Sequence, residues 1–482
     1  MIRHFISVLA AVLVTVSVAA HTHTGSNAKK HTNFTFSYGL DTINVRQQFQ
    51  GWGVSLCWWA NMCGKWSDEK INEIIDWLTS PDQLNFSIFR YNIGGGEDPA
   101  NRACNPHHMK NGKGLRAEME GFKDSTNGAY HWERDEAQRK IMLRIKQKRP
   151  DAVFEAFSNS CPYYMTHSGC VAGARKASDD NLKPEYYDEF ARYLVDVCKH
   201  YKEAYGLEFH SLEPFNEAMS NYWYANGSQE GCHFDKQSQV RFVKTLSRTL
   251  KESGLRTIIS ASDETSVPQS LEALQCYRDS GILNLIGQWN THTYIANDNS
   301  REALRNAVAS TRLPFWMSET GNSGKGIAGN LKLAQTLISD LRIMQPSAWL
   351  DWQYIEENND QWCLVRADFS KQTYSRVKNF HVRRQFSGFI HKGYRFIATE
   401  CPQTLAAANG DGSEYVVVML NGSDTIATHD IDVSHLGKIK QAKAWRTSES
   451  EDVTPVNAFA RKRKHVVCTL PPMSVTTLVL KK

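Results

Sequence analysis

From Gly51 onward, short apolar runs alternate with longer segments whose apolar positions recur every three or four residues. The short runs predict strands at Gly51–Ser55, Ser87–Tyr91, Val153–Ser158, Phe209–Glu213, Thr257–Ala261, Leu285–Thr291, Phe315–Ser318 and Ala348–Gln353. Helices are predicted between them at Ser67–Leu78, Glu133–Lys148, Pro184–Tyr205, Gln237–Ser253, Ser300–Ser310 and Asn330–Met344. Eight strands, most followed by a helix, predict a parallel (β/α)8 TIM barrel over residues 46–380.

The pattern changes in the last hundred residues. Tyr415–Leu420, Ala442–Arg446, His465–Thr469 and Ser474–Leu480 are β-rich, several are separated by Gly and Asn/Asp turns, and no long helix is expected among them. They predict an appended C-terminal β-sandwich over residues 381–482. Asn33–Val45 is also strand-like, so residues 21–45 read as a lead-in followed by a strand that joins this sandwich. The basic run Arg461–Lys464 reads as a solvated turn within it.

Residues 1–20 read as an export signal: Arg3 precedes an uncharged apolar run from Phe5 to Val18, and Val18 and Ala20 place small residues before a cut after Ala20. The run is too short to span a bilayer, so the expectation is a secreted monomer without a membrane or nucleic-acid role. A balance of +5 over 482 residues agrees, because it gives no electrostatic footprint for nucleic acid. Eleven cysteines allow at most five bridges. Cys57/Cys63 and Cys161/Cys170 are the close pairs expected to staple loops, with buried reduced thiols as the alternative. Asn33, Asn226 and Asn421 begin glycosylation sequons, whereas Asn85 leads into an apolar strand. The abundance of rings (13 Trp, 18 Tyr, 21 Phe) suits a large core or a cleft for a ligand with flat apolar faces.

In a barrel of this kind the C-terminal strand ends carry the chemistry. Strand four runs into Glu213-Pro-Phe-Asn-Glu217 and strand seven into Trp316-Met-Ser-Glu319, so Glu217 and Glu319 are expected to face each other across the mouth. Either glutamate alone is compatible with a salt-bridged core residue. Together they suit retaining glycoside hydrolysis, with Glu319 as nucleophile and Glu217 as acid/base. Like-charge repulsion from Glu319 is expected to raise the pKa of Glu217, and Asn216 is placed to bond the sugar hydroxyl beside the anomeric carbon. His107-His108 and His21/His23 lack further ligands at usable spacing. No metal or other cofactor is expected.

These strand ends resemble those of the clan A barrel hydrolases. Phe386-Ser-Gly-Phe-Ile-His-Lys-Gly-Tyr394 and Leu470-Pro-Pro-Met-Ser-Val-Thr-Thr477 are similar to the sandwich strands of glycoside hydrolase family 30. Cys57-Trp-Trp-Ala-Asn61, Arg90-Tyr-Asn-Ile-Gly-Gly-Gly-Glu97 and Gly227-Ser-Gln-Glu-Gly-Cys-His-Phe234 are most similar to its endo-β-1,6-galactanase branch. The resemblance covers about Phe49 to Leu480. It implies a substrate pocket of Arg90, Glu97, Asn216, His292, Tyr294 and Trp352 around the two glutamates, and β-1,6-galactan side chains of arabinogalactan type as the polysaccharide substrate. Asn159 stands where glucosylceramide-cleaving relatives carry Trp, and Glu97 where they carry Asp; the smaller Asn159 suits the axial O4 of galactose. Two other readings remain open: a family 30 enzyme for β-1,6-glucan, a glucosylceramide-like lipid or xylan, and a carbohydrate-binding pseudoenzyme.

Overall fold

A computed structural model describes residues 33–98, 100, 101, 104, 119–322 and 324–482. The expected signal, the lead-in up to residue 32, and His107-His108 lie outside the described residues.

Eight parallel strands close into a barrel: Gly51–Ser55, Ile88–Asn92, Val153–Phe157, Ser211–Glu213, Ile258–Ser266, Gln288–Ile295, Phe315–Thr320 and Ala348–Asp351. They are called strands one to eight below. The eighth closes on the first through Trp349 opposite Trp52 and Leu350 opposite Gly53. On its other side strand one lies so close to strand two that Gly53 is required, because a Cβ there would lie 2.3 Å from the Ile88 carbonyl oxygen.

Local chemistry explains the helices. In Asp68–Thr79, the Ser67 hydroxyl accepts from the Lys70 N–H, Asp68 and Glu69 occupy the first turn, and Ile71, Ile74, Ile75 and Leu78 form the buried stripe. Tyr187–Tyr205 ends at Gly206, which adopts φ +60°. The sequence pattern missed Val267–Asp279, whose buried face includes Ser270 and Ala273 and so carries a diluted apolar stripe. The predicted strand Leu285–Thr291 is shifted forward: Leu283–Leu285 is a single 3-10 turn, and the strand begins at Gln288. A three-stranded sheet, Ile355–Glu357, Val365–Asp368 and Thr373–Arg376, follows the barrel and was not expected.

Beyond it the chain is β-rich, apart from the helix Lys378–Ser387 that straddles residue 380. A four-stranded sheet pairs Phe34–Gly39 in parallel with Ala427–Asp432, followed by His465–Leu470 and Phe459–Lys462. A seven-stranded sheet has Ser474–Lys481 near its centre and ends on Asp41–Gln48. Alternation fills the space between the sheets with Leu40, Val417, Ile431 and Leu478.

Cys57 and Cys63 follow the alternative of buried reduced thiols, whereas Cys170 pairs with a cysteine other than Cys161. Cys104 is joined to Cys170, while Cys57, Cys63 and Cys161 are free and buried. Sequence proximity misled here, because folding brings Cys104 of one strand-end loop to Cys170 of the next, with Cα atoms 5.5 Å apart. No described helix is long and apolar enough to cross a membrane.

Candidate active site

The C-terminal strand ends of the barrel surround a cavity of about 240 Å3. Asn159, Asn216, Glu217, Tyr294, Glu319 and Trp352 all line it, as their strand positions predict. Arg90 and His292 lie below its surface, fully buried and in contact with the carboxylates. Glu97 is partly buried and is not among the side chains that form the wall of this cavity. The three glycines before it are closely packed: Gly94 and Gly95 lie against neighbouring backbone, and Gly96 at φ +68° turns the chain beside Gly121 and Tyr163.

Sequence reasoning missed five lining residues: Trp58, Tyr222, Gln229, Thr265 and Trp362. Trp58 had a signal in the tandem Cys57-Trp-Trp, and its ring meets Trp352 edge to face at 5.2 Å. Trp362 comes from the loop between the first two strands of the unexpected sheet after strand eight, and periodicity held no cue to it.

Glu217 follows strand four at φ +53°, a conformation fixed by its own N–H donating to the Asp263 carbonyl at 2.8 Å. Its Oε1 lies 3.0 Å from His292 Nδ1, and the Tyr222 hydroxyl donates to its Oε2. Glu319 ends strand seven; its Oε1 accepts from the Tyr294 hydroxyl at 2.9 Å and its Oε2 from Arg90 Nη1 at 3.2 Å. One carboxylate oxygen of Glu217, one of Glu319 and a ring nitrogen of His292 all lie within 4.8 Å of one another. That closeness fits the gap of about 5–5.5 Å used in double displacement, and is too short to seat a water as an inverting enzyme requires.

Burial, then Glu217 and Asp263, push Glu319 up to about 7 against the pull of His292 and Arg90. Burial would push His292 down, but the anions Asp263 and Glu319 raise it to about 10, so it is an imidazolium at neutral pH. The trio Glu217, His292 and Glu319 has the spacing of a cation site, and at that spacing each group sets the charge of its neighbours.

Asn216 Oδ1 is buried and has no protein hydrogen-bond partner. Such an acceptor costs about 1–3 kcal/mol unless a donor is supplied, and a ligand hydroxyl in the cavity would supply one. Asn159 is held by its N–H donating to Asn92 Oδ1 at 3.1 Å, and its amide reaches Cys57 Sγ at 3.5 Å.

Comparison with known proteins agrees with this geometry. The chain is 30% identical over 406 residues to an endo-β-1,6-galactanase from Hypocrea rufa, covering 81% of this chain and 82% of that protein. It is 24% identical to an exo-β-1,6-galactobiohydrolase from Bifidobacterium longum, covering 88% of this chain and 37% of that longer protein. A conserved exported protein from Bacteroides fragilis shares the fold with a TM-score of 0.78 at 21% identity, over 92% of this chain and all of that one. The family model for O-glycosyl hydrolase family 30 matches residues 36–313, and with paired carboxylates at the mouth of a closed barrel, the chain belongs to glycoside hydrolase family 30.

Proposed function

We propose that this glycoside hydrolase is an endo-β-1,6-galactanase that cuts β-1,6-galactan side chains with retention of configuration. The observation that carries the substrate is the 30% identity to an endo-β-1,6-galactanase over four-fifths of the chain. In this reading Glu319 attacks the anomeric carbon and forms a glycosyl ester. Arg90 and Tyr294, bonded to its two oxygens, favour the carboxylate that attacks. Glu217 gives its proton to the departing oxygen and then takes one from water. The imidazolium of His292 orients Glu217 Oε1. Once Glu319 is an ester, it no longer repels a charge on Glu217, which turns acid into base. Asn216 bonds the neighbouring hydroxyl, and Trp58 and Trp352 present the apolar faces against which a sugar ring packs.

Asn159 leaves room for the axial O4 of galactose. The Asn159→Trp variant is expected to lose about tenfold or more in kcat/KM on β-1,6-galactan relative to β-1,6-glucan. An unchanged ratio would refute this role. The substrate test is a panel of β-1,6-galactan, β-1,3-galactan, β-1,6-glucan and xylan, with product sizes read early. Galacto-oligomers of several lengths are expected. Release of a single short product would favour exo action, the activity named for the second relative.

The protein is further read as secreted, on the strength of its N-terminal apolar run and a disulfide suited to an oxidising compartment, and as a monomer. Its N-terminal sequence after expression in a secreting host, and its mass in solution, test both.

A further inference from the structure

Strand five carries one residue too many for its neighbour: Ser262 pairs with Asn290 and Glu264 with Thr291, so Asp263 is bulged. It adopts φ +57°, a conformation that Asp tolerates better than β-branched residues do. Its carboxylate is fully buried in the barrel. Oδ2 pairs with Arg90, the guanidinium that holds Glu319. Oδ1 lies 3.1 Å from Nε2 of His292, the ring that holds Glu217, and also accepts from the Ser318 hydroxyl. Its carbonyl accepts the Glu217 N–H. One anion thus stands between two cations, and each cation grips one of the paired glutamates.

We propose that Asp263 is the positioning residue that keeps Glu217 and Glu319 in register, by fixing Arg90 against one and His292 against the other. This rests on the reading of those two glutamates as the catalytic pair. Without Asp263, Arg90 and His292 face each other as like charges in a dry interior, where repulsion is strong. Arg90 stays charged, so His292 gives up its proton more easily and its grip on Glu217 changes. The other titratable groups facing His292 and Asp263 are Glu213 and Glu217 around strand four, Glu264 on strand five, Tyr294 on strand six and Glu319 on strand seven. All are acids, so none replaces the lost cation on Glu217. Asp263 itself is held at about 2, because Arg90 and His292 outweigh the effect of burial, and it remains an anion across the working range.

Asp263→Asn keeps the shape and removes the charge. On whichever glycan of the panel the wild-type chain hydrolyses, kcat is expected to fall about a hundredfold while KM moves less than about threefold. The alkaline limb of the kcat–pH profile should move down by about one pH unit, and Asp263→Glu should regain part of the rate. Wild-type kcat and profile in a folded Asp263→Asn protein, or a change in KM alone, would overturn the assignment. If circular dichroism shows that Asp263→Asn does not fold, Ser318→Ala removes one hydrogen bond onto Asp263 without touching a charge. A smaller loss of kcat at constant KM is then expected, and an unchanged kcat would overturn the idea. A failed galactan reading shows as wild-type activity on another glycan, and leaves the variant-to-wild-type ratio intact.

Discussion

Two buried histidines compare the barrel mouth with the sandwich. His429, between the two sheets, meets Tyr38 through a hydrogen bond of 3.0 Å, and burial pushes it down to about 4. His292, at the mouth, is raised to about 10 because Asp263, Glu319 and Glu217 surround it. The burial is alike and the outcome opposite. Desolvation alone discharges an imidazole, whereas desolvation beside fixed anions holds the proton in place. The sandwich fills its interior with Val417, Ile431 and Leu478 and needs little polarity. The barrel mouth keeps Arg90, Glu155, Asp263, His292 and Glu319 away from water, and every charge leans on another. One region is built to be stable and the other to move a proton.

The sharpest way to break this contrast is Glu319→Gln. Loss of the nucleophile is expected to cost at least roughly 10^4-fold in kcat, with oligosaccharide affinity retained in calorimetry. Affinity with no wild-type turnover to lose would instead identify a lectin. Next comes Leu478→Ala in the sandwich, which should cost about 2–5 kcal/mol in denaturant unfolding while kcat per folded molecule stays the same. A lost kcat would show that the sandwich shapes the mouth.

The smaller effect is on stability against pH. Burial raises Glu230 and Glu264 to about 8 and Asp135 to about 7, so the folded state holds protons that the unfolded chain has released. Their contribution is full below pH 4 and lost as pH rises through 7 to 8. His292, raised in the folded state, adds a loss in the same direction. His429 and His381, both lowered to about 4, act the other way, but only below their unfolded pKa near 6.5. The melting temperature should therefore fall by several degrees between about pH 6.5 and 8.5. Glu230→Gln should flatten that slope, and a melting curve that rises over this range would sink the account.

Much of the architecture was legible along the chain. Strand one appears at Gly51–Ser55 as read, and strands two, three and seven depart by one or two residues, because continuous apolar runs bounded by polar residues mark strands covered on both faces. Glu217 and Glu319 were legible because strand order alone sends two strand ends to the same mouth. Trp362 was hidden in a loop without periodicity.

By itself, then, the sequence determined the barrel, the sandwich and the pair of glutamates, since hydrophobic period and strand-end position are local properties. Only the tertiary structure decided that Cys104 meets Cys170, that burial raises the pKa of Glu319, and that a bulged Asp263 ties Arg90 to His292. Those outcomes depend on distances between groups far apart in the chain and on exclusion of water, and neither exists until the barrel has closed.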